Sequence, residues 1–511
     1  MTVYSVNLGI GWASSGVEYA QKYRNESFEK LHIPAKFIFS DLILGNNIED
    51  LTKNMGYDDD QIIWLYNFFT DVKIAPSTYK LERIVQDLNL RKRSVASVNR
   101  TGSKEMTYRL PDENLSIAVR LNNLREQTID QVTYFDKDQM SKREFYSYTK
   151  YATEYYEGNG SNKVTFREFY NEDGSVAYVQ HLDDNSELFE FPDKNILMTK
   201  NDLYREMVKK LNLQKDDVII MDREDENDDL SNGQIFFEEH KPAKLIVIVH
   251  ADHYDVHYTD DQNILWNNFY EFQFTHNDDV DSFVCATPKQ TELLREQEKK
   301  YYNNDARVDC IPVGCVKTLV KSDKKRKPYS LITASRLASE KHVDWIVRAV
   351  IAAKKEIPEL NLDIYGRGGM GTRLEEIIRE NNAESYIRLM GQRDLDDVYV
   401  NYEGYIAAST SEGFGLSLLE AVSSGCAMIG FDVPYGNPTF IDDGKNGYLL
   451  PYDEDWDVRE KINKLTEAIV KMFKSSDVPA FNQRSYEIAE PYLLDNVAQE
   501  WKKLLEDLKD D

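Results

Sequence analysis

The hydrophobic and polar positions at the start of the chain follow the order expected of an α/β domain. The apolar run Val3–Leu8 predicts a strand, and an amphipathic helix is expected from Val17. Glycine and serine residues interrupt the pattern between Gly9 and Gly16, and a second strand is predicted at 35–39. A strand, a glycine-rich loop and a helix in this order are typical of an α/β fold.

The pattern changes between about residues 95 and 191. Short segments rich in β-branched and aromatic residues alternate there with polar residues, and turn signals separate them. The strongest turn signal is Asp173-Gly174, because both residues tolerate the positive φ of a tight hairpin turn. We predict at least four antiparallel strands. A stretch of about 100 residues favours an inserted module over the decoration of a neighbouring sheet.

Helix–strand alternation returns near residue 202 and continues along the rest of the chain. Lys244–Val249 is almost continuously apolar, as expected of a parallel strand buried on both faces. The basic stretch 322–328 precedes a predicted strand at 329–333, and we place the boundary between two α/β domains there. In the final segment, apolar residues recur on one face of a predicted helix: Val497, Trp501, Leu504, Leu505 and Leu508.

With 89 acidic and 62 basic residues among 511, the chain carries a formal net charge of −27. This charge argues against nonspecific nucleic-acid binding, which requires Lys and Arg to replace phosphate counterions. It also repels anionic lipid, although the basic run Lys324–Lys327 would permit peripheral membrane contact. The four cysteines form no CxxC pair, and the start of the chain lacks the features of a signal peptide. We therefore expect a cytoplasmic protein.

The most specific motif is the nine-residue string Glu412-Gly-Phe-Gly-Leu-Ser-Leu-Leu-Glu420, between a predicted strand and a predicted helix. Its glycines allow close approach to the free amides at the helix start, which suit a phosphate or a sugar hydroxyl. The two carboxylates can grip different parts of one elongated ligand. Glycines alone would fit an ordinary strand–turn–helix with incidental acids, but the complete string favours a binding site.

Arg336 and Lys341 follow the predicted strand at 329–333. Ligands of α/β folds bind beyond the carboxyl ends of the strands, and two cations at that place can neutralise a diphosphate. A solvated charged face explains these two residues equally well when they are taken alone.

Further glycine segments are weaker signals. Gly16–Tyr19 begins the first predicted helix and would offer amides to an anion, but its loop matches neither a Walker A nor a GxGxxG motif. Gly366-Arg367-Gly368 and Gly391-Gln392-Arg393 each follow a predicted strand. They fit either turn chemistry or close approach of the backbone to a nucleotide.

Three histidines and two aspartates follow the strand at 244–249: His250, Asp252, His253, Asp255 and His257. A metal site is one interpretation, and a hydrogen-bonding loop is another. Because His250 lies at the end of the strand, we favour a neutral His250 that hydrogen-bonds a ligand hydroxyl.

The chain resembles the retaining glycosyltransferases of family four, which belong to the GT-B superfamily and carry an E-x7-E motif. The resemblance rests on the string TSEGFGLSLLEAVSSG at 410–425, on Arg336-x4-Lys341, on the glycines at 366–368 and on His250. The opening NLGIGWASSGVEYAQKYR and the β-rich insertion are similar to the GtfA subunits of accessory-secretion O-glycosyltransferases of Gram-positive bacteria. The resemblance implies an α/β GT-B fold of two Rossmann-like domains, with an antiparallel, β-rich meander inserted in the N-terminal domain.

The implied domains are an N-terminal, acceptor-side domain, an inserted interaction module and a C-terminal nucleotide-sugar domain. The first spans 1–55 and 200–320 and is completed by a helix at 492–511. The inserted module spans 56–199, and the nucleotide-sugar domain spans 321–491.

The resemblance also implies an activity and partners. Enzymes of this family transfer N-acetylglucosamine from UDP-GlcNAc to Ser or Thr of serine-rich-repeat adhesins, as the first step of their O-glycosylation. They act with a homologous, catalytically inactive co-activating subunit, GtfB. The inserted module is the implied platform for the partner or the acceptor. UDP-GlcNAc is the expected donor, and no cofactor or metal is expected.

Carried over residue by residue, the resemblance implies roles in catalysis. Arg336 and Lys341 would hold the UDP diphosphate, and Glu412 would bind the 3- and 4-hydroxyls of the donor sugar. His250 would bond the 6-hydroxyl and help to stabilise the oxocarbenium-like charge. Glu420 would bind the ribose. The other implied donor contacts are largely backbone: Gly16, Val17, Glu18, Tyr19, Gly391, Gln392, Arg393, Gly413, Phe414, Gly415 and Leu416.

Retention by front-face return fits these residue types. The cations and helix dipoles stabilise the leaving UDP, whose phosphate can take the acceptor proton, so neither an enzyme nucleophile nor a metal is required. A double displacement, which needs a carboxylate near the β-face of the anomeric carbon, stays open. Two other functions also stay open: transfer to a teichoic-acid-type polyol phosphate, and an inactive acceptor-binding subunit.

Overall fold

A computed structural model of the protein describes residues 1–12, 16–101, 104–158, 160–222, 232–321, 325–475 and 477–510. The chain divides into two units. Unit 1 consists of Met1–Glu18 and Ile33–Leu245, and unit 2 consists of Tyr19–His32 and Ile246–Asp511. The predicted domain boundaries near 55, 200, 320 and 491 stay predictions. Parts of the glycine-rich loop and of the basic stretch 322–328 lie outside the described residues.

Unit 1 begins with parallel strands. Strand β1 pairs with β2, and β2 pairs with β3, both in parallel. The two strands predicted at the start of the chain and the predicted start of the helix between them are confirmed to within one residue. The first elements are β1 (Val3–Asn7), α1 (Gly16–Lys30), which continues into unit 2, β2 (Ala35–Phe39), α2 (Ile48–Asn54), β3 (Ile62–Trp64) and α3 (Leu81–Asp87).

A ten-stranded antiparallel sheet follows, and we call it the β module. Each strand pairs with the next one along the chain, so the sheet is a meander. The predicted Asp173-Gly174 turn joins two of its strands, with Gly174 at φ +83°. The predicted antiparallel module is confirmed. Its strands are β4 (Ser97–Thr101), β5 (Glu105–Leu110), β6 (Leu115–Asn123), β7 (Thr128–Asp136), β8 (Gln139–Tyr146), β9 (Lys150–Tyr156), β10 (Val164–Tyr170), β11 (Val176–Asp183), β12 (Ser186–Glu190) and β13 (Ile196–Leu197).

The rest of unit 1 returns to the α/β pattern. Helix α4 (Lys200–Leu211) is capped by Thr199, whose hydroxyl accepts a hydrogen bond from the Asp202 amide. Strand β14 (Val218–Met221) pairs in parallel with β1, which gives the order β14–β1–β2–β3. Helix α5 (Asn232–Glu239) follows.

Unit 2 contains two groups of parallel strands. In the first group, β15 pairs with β18, and β18 pairs with β19. Strand β15 is buried along almost its whole length, as its apolar run predicts. The elements are β15 (Lys244–Val249), which begins at the boundary of the two units, β16 (Tyr254–Asp255), β17 (Leu265–Trp266), α6 (Glu271–Thr275), β18 (Ser282–Cys285), α7 (Pro288–Tyr302) and β19 (Val308–Cys310).

The second group is a six-stranded parallel sheet in the order β22–β21–β20–β23–β24–β25. Helices alternate with its strands. The elements are β20 (Lys327–Ala334), α8 (Val343–Ala353), β21 (Asn361–Tyr365), α9 (Gly371–Glu380), β22 (Ile387–Gly391), β23 (Tyr402–Ile406), α10 (Leu416–Ser423), β24 (Ala427–Phe431), α11 (Gly436–Phe440), β25 (Gly447–Leu450), α12 (Val458–Lys474), α13 (Val478–Ala489) and α14 (Leu494–Asp510).

The order of the six-stranded sheet reverses at β20. The chain moves outward from β20 to β21 and β22, and it then returns to the other side of β20 with β23, β24 and β25. Ligands of open α/β sheets bind beyond the carboxyl ends of the strands at such a switch point. The loops after β20 and β23 are therefore the place to look for a binding site in this sheet.

Helix α14 buries the apolar face that its sequence predicts. Trp501 packs edge-on against Phe28 of α1, with ring centroids 5.6 Å apart. At the polar edge, Arg307 pairs with Asp507 at 3.0 Å. Among the described residues, no helix combines the length and apolarity that a bilayer span requires.

Candidate active site

Two loops at the switch point of the six-stranded sheet carry the predicted site residues. The loop after β20 contains Arg336 and Lys341, and the loop after β23 leads to Glu412. The ammonium of Lys341 lies 2.6 Å from Oε2 of Glu412. Their side chains are 17% and 22% exposed, so this ion pair is largely shielded from water. Two residues 71 positions apart thus meet at the switch point, as expected of one site.

Arg336 occupies a different environment. Its side chain is 76% exposed, and its guanidinium pairs with Glu340, 3.2 Å away on the same loop. An exposed arginine on a loop can turn toward an anion at small cost, because exposed ion pairs contribute little stability.

The segment around Glu412 is fixed through its backbone. The Glu412 amide donates to the Pro434 carbonyl at 3.0 Å, and the Glu412 carbonyl accepts from the amides of Tyr435 and Gly436 at 2.6 and 2.7 Å. A Cβ on Gly436 would lie 2.2 Å from the Phe414 carbonyl oxygen. Glycine is therefore required at 436 for the two loops to approach this closely.

Helix α10 begins directly after the glycines. Gly415 precedes the helix with φ +85°, a left-handed conformation that favours glycine. A Cβ on Gly413 would lie 2.4 Å from the His250 carbonyl oxygen, so the chain passes directly over the loop after β15. The first amides of a helix have no partner within it and can bind an anion. Leu416 supplies the first helical residue.

The side chain of Phe414 belongs to the core rather than to a donor site. It is buried, and its ring lies 5.1 Å from Phe440 and 5.9 Å from Tyr492. Its predicted contact with the donor is consequently limited to its backbone. At the other end of α10, Gly425 has φ +69° and its amide donates to the Val422 carbonyl, which ends the helix.

Glu420 lies in an environment that disfavours its charge. Burial raises the pKa of Glu420 to about 7, and a hydrogen bond from Tyr399 opposes this shift. The Tyr399 hydroxyl lies 2.9 Å from Oε2 of Glu420. Tyr399 carried no signal in the sequence pattern, because it lies in a single 3₁₀ turn, Tyr399–Asn401, which is too short to show a periodicity. A carboxyl with a strongly perturbed pKa is frequent at ligand-binding sites.

His250 and Asp252 connect the loop after β15 to this site. The His250 amide donates to the Tyr270 hydroxyl at 2.9 Å. The Asp252 carboxylate accepts a hydrogen bond from the hydroxyl of Ser411, the residue before Glu412. Burial raises the pKa of Asp252, and the charge of Glu412 adds to this effect. Asp252 was considered only as one of five residues of a possible metal site or hydrogen-bonding loop, and no role was predicted for Ser411, which directly precedes Glu412.

The histidines of this loop make separate contacts. His253 is fully buried; Nε2 lies 2.7 Å from the Gln297 side chain, and burial lowers its pKa to about 4. A neutral, hydrogen-bonded His253 has a structural role. His257 is exposed and lies 3.4 Å from Glu454. Within the described ranges, no three His, Cys, Asp or Glu side chains are grouped so as to hold a metal ion.

The glycines at 366 and 368 have a packing role. A Cβ on Gly366 would lie 1.9 Å from the Ser335 carbonyl oxygen, and one on Gly368 would lie 2.5 Å from the Leu337 carbonyl oxygen. The backbone between them also bonds to the same loop, since the Leu337 amide donates to the Arg367 carbonyl at 2.9 Å. These contacts give the two glycines a role in local packing, and the approach of a nucleotide to this backbone stays a prediction.

The remaining predicted donor residues lie at two other places. Gly391 ends β22 with φ +71°, and Gln392 and Arg393 follow it with exposed side chains. Arg393 donates to the Met390 carbonyl at 3.1 Å. Helix α1 carries the rest, with Tyr19 in unit 2 and 42% exposed. Gly16, Val17 and Glu18 belong to unit 1.

The basic run at 324–327 is partly structural. The Arg326 guanidinium donates to the carbonyls of Tyr402 and Ser424 at 2.6 and 2.7 Å, and to the Tyr486 hydroxyl at 3.2 Å. It therefore contributes less to a basic surface than the sequence suggests. Lys325 and Lys327 are exposed, and Lys324 lies outside the described residues.

Two family models match the chain. One is described as Glycosyl transferases group 1 and covers residues 328–468, which include all of the six-stranded sheet except the first residue of β20. The other is described as the GtfA extended beta-sheet domain and covers residues 98–193, which hold most of the β module but not its last strand, β13. These two matches indicate a glycosyltransferase, in line with the predicted GT-B fold. The predicted fold class is confirmed.

A full-length relative identifies the family within this class. The chain is 58% identical over 511 residues, covering 100% of both chains, to the UDP-N-acetylglucosamine--peptide N-acetylglucosaminyltransferase GtfA subunit of Limosilactobacillus reuteri subsp. suis. It therefore belongs to the GtfA family.

Solved structures agree with this assignment. The crystal structure of the pneumococcal O-GlcNAc transferase GtfA in complex with UDP and GlcNAc is 43% identical, with a TM-score of 0.92, and the match covers 100% of this chain and 99% of that one. The crystal structure of a GtfA/B complex is 45% identical, with a TM-score of 0.94 and 100% of both chains covered.

Proposed function

We propose that this chain is the catalytic subunit of a retaining, metal-independent transferase. It moves N-acetylglucosamine from UDP-GlcNAc to Ser or Thr hydroxyls of a serine-rich-repeat protein and acts with a homologous GtfB subunit as co-activator. The full-length identity of 58% to a protein named as a UDP-N-acetylglucosamine--peptide N-acetylglucosaminyltransferase supports the donor and the peptide acceptor. The GtfA/B complex of a relative supports the partner.

The observation that carries the proposal is the shielded Lys341–Glu412 pair, 2.6 Å long, at the switch point. A lysine placed there can bind a phosphate of the donor as a point charge. The carboxylate beside it can accept hydrogen bonds from sugar hydroxyls. Two opposite charges at one place suit a ligand that combines an anionic diphosphate with a neutral sugar.

The reaction needs neither an enzyme nucleophile nor a metal. The bond between the anomeric carbon and the phosphate oxygen breaks, and the acceptor oxygen bonds to the same face of the sugar. The acceptor proton passes to the leaving phosphate, which yields UDP. Lys341, Arg336 and the amides at the start of α10 stabilise the charge that develops on that phosphate. His250 supports the sugar through its 6-hydroxyl.

A transfer assay tests this proposal. The purified chain and its GtfB partner are incubated with labelled UDP-GlcNAc and a Ser/Thr-rich peptide, with and without EDTA. We expect an α-linked product by NMR and no loss of rate with EDTA. A β-linked product contradicts retention, and loss of rate with EDTA contradicts metal independence. Transfer to a polyol phosphate in place of the peptide would contradict the peptide acceptor.

A matched pair of arginine variants tests the site. Arg336→Ala is expected to abolish transfer without changing the melting temperature. Arg373→Ala is the control, because Arg373 is also an exposed arginine that pairs with a nearby carboxylate, 3.0 Å away. Full activity of Arg336→Ala would contradict the assignment of this residue. An inactive wild-type chain that still binds acceptor protein would instead indicate an acceptor-binding subunit.

The proposed location is the cytoplasm, with peripheral contact to the membrane through exposed lysines of the basic run. Lys325→Glu with Lys327→Glu should then reduce co-sedimentation with phosphatidylglycerol vesicles. Equal sedimentation of the variant and the wild-type chain would contradict membrane contact at this run.

A further inference from the structure

Asp252 makes a contact that the predicted roles do not use. It lies two residues after His250, in the loop that follows β15, and its carboxylate accepts the hydroxyl hydrogen of Ser411. Ser411 directly precedes Glu412. The loop after β15 therefore holds, by one side-chain hydrogen bond, the residue next to the carboxylate that pairs with Lys341.

The Ser411 contact adds to backbone contacts of the same segment. The amides of Tyr435 and Gly436 hold the Glu412 carbonyl, and Gly413 passes directly over the His250 carbonyl. The Glu412 peptide is thus held on its C-terminal side by backbone contacts. On its N-terminal side, the Glu412 amide donates to the Pro434 carbonyl at 3.0 Å, and the Asp252 carboxylate adds a contact to the Ser411 side chain.

The surroundings of Asp252 disfavour its negative charge. Burial raises the pKa of Asp252, and the negative charge of Glu412 raises it further, whereas the Ser411 hydrogen bond lowers it. A second negative charge nearby disfavours the charged form of Asp252. An asparagine at 252 would avoid this repulsion and still accept the Ser411 hydroxyl hydrogen, so the proposed role depends on the acceptor and not on the charge.

We propose that Asp252 is a positioning residue of the transferase site: through Ser411 it fixes the backbone that carries Glu412, and thereby the Lys341–Glu412 pair, for the donor sugar. This inference rests on the proposed function. Asp252 acts through Ser411 and not on the substrate itself. Reacting groups need placement to well within 1 Å, so loosening this segment is expected to slow transfer more than it weakens binding of UDP, which lacks the sugar.

The test compares three variants of the contact with one control, all in the full chain with its partner subunit. Asp252→Ala and Ser411→Ala should each lower kcat/KM for UDP-GlcNAc by about tenfold to a hundredfold, while the Kd for UDP changes less than about twofold. The double variant should lose no more than either single variant, because both remove the same contact. Asp252→Asn keeps an acceptor for the Ser411 hydroxyl and should retain most of the activity.

The control is Ser282→Ala, which removes another serine–aspartate hydrogen bond of unit 2, the 2.7 Å contact from Ser282 to Asp309. It should leave kcat/KM unchanged. Wild-type activity in Asp252→Ala, or losses that multiply in the double variant, would overturn the proposal. So would a defective Asp252→Asn beside a normal Ser411→Ala, since the carboxylate would then act directly.

Hydrogen exchange tests the positioning without relying on activity. The amides of Tyr435 and Gly436 donate to the Glu412 carbonyl, so they report whether that peptide is held. They should exchange faster in Ser411→Ala and Asp252→Ala than in the wild-type chain and in Ser282→Ala. Unchanged exchange overturns the inference. If the amides exchange faster in the two variants but the wild-type chain does not transfer sugar from UDP-GlcNAc, the positioning role of Asp252 is supported. The proposed function is then contradicted.

Discussion

Two carboxylates, Glu144 in the β module and Glu420 on α10 beside the six-stranded sheet, lie in opposite electrostatic surroundings. In the β module, Glu144 accepts hydrogen bonds from Tyr134, Tyr146 and Lys142 at 2.7, 2.9 and 2.8 Å. Burial alone would raise the pKa of Glu144, but these bonds and the nearby lysine charges hold that pKa below its ordinary value. On α10, burial raises the pKa of Glu420 to about 7 despite the bond from Tyr399.

The opposite pKa shifts of Glu144 and Glu420 indicate a structural role for the first carboxylate and a binding role for the second. A buried carboxylate that is neutralised by its neighbours stabilises the fold. When the charge of a buried carboxylate is not compensated, a ligand that donates hydrogen bonds to it can stabilise that charge. Carboxylates of this kind are frequent at binding sites. Substitution should therefore affect stability in the β module and activity at the sheet edge.

The largest expected effect is on activity. Glu412→Ala should lower kcat/KM for UDP-GlcNAc by about a hundredfold or more, because it removes the proposed acceptor for the sugar hydroxyls and the partner of Lys341. Steady-state transfer assays measure this loss. Glu376→Ala, an exposed acid of α9 that pairs with Arg373, is the matched control and should be fully active. Comparable activity of the two variants would contradict the proposal that Glu412 binds the donor.

A smaller effect, on stability, is expected in the β module. Glu144→Ala leaves two buried tyrosine hydroxyls without their acceptor and should lower the free energy of unfolding by about 2–3 kcal/mol, as measured by chemical denaturation. Because the pKa of Glu144 is lowered on folding, its stabilisation is present above the unfolded pKa and is lost as the pH falls through the folded pKa. A variant as stable as wild type at pH 7 would contradict the comparison.

Gly413→Ala probes the backbone packing at the sheet edge. The new Cβ would lie 2.4 Å from the His250 carbonyl oxygen, so the loops must move apart. We expect a loss of about 1–2 kcal/mol in the free energy of unfolding, together with slower transfer. Gly158→Ala in the β module is the control, because a Cβ at that glycine meets nothing within 4 Å. Equal effects of the two substitutions would show that the close approach tolerates a side chain.

The last expected effect is a gain in stability. Because the pKa of Glu420 is raised on folding to about 7, its charge destabilises the folded chain as the pH rises from the unfolded pKa through that value. Glu420→Gln should therefore raise the free energy of unfolding by up to about 3 kcal/mol at pH 8 and leave it unchanged near pH 4. Thermal unfolding at both pH values measures this difference. A variant that is destabilised at pH 8 would show that the charge is compensated.

Local patterns of the chain predicted the fold class well. The apolar strands β1, β2 and β15 and the amphipathic α14 lie where their periodicity predicted them, because each pattern is complete within a short segment. The β module has ten strands where at least four were expected. Strands such as β8 are rich in charged residues, and their conformation depends on pairing with both neighbours rather than on their own propensity.

The predicted site was less complete. The string from Glu412 to Glu420 identified one side of it, and Lys341 meets Glu412 as expected of a shared site. The contact of Asp252 with Ser411 was not predicted, because it joins residues 159 positions apart. The side chain of Phe414 packs in the core, although its neighbours in the string suggested a ligand.

The sequence by itself determined the class of fold, the family and the helix start that can bind an anion, since each depends on residues that are close along the chain. The tertiary structure decided which charges are paired and which are left uncompensated. Those properties depend on burial and on distances of a few ångströms between residues far apart in sequence. A glutamate has the same side chain at 144 and at 420, and only its surroundings make one a structural charge and the other a carboxyl with a pKa of about 7.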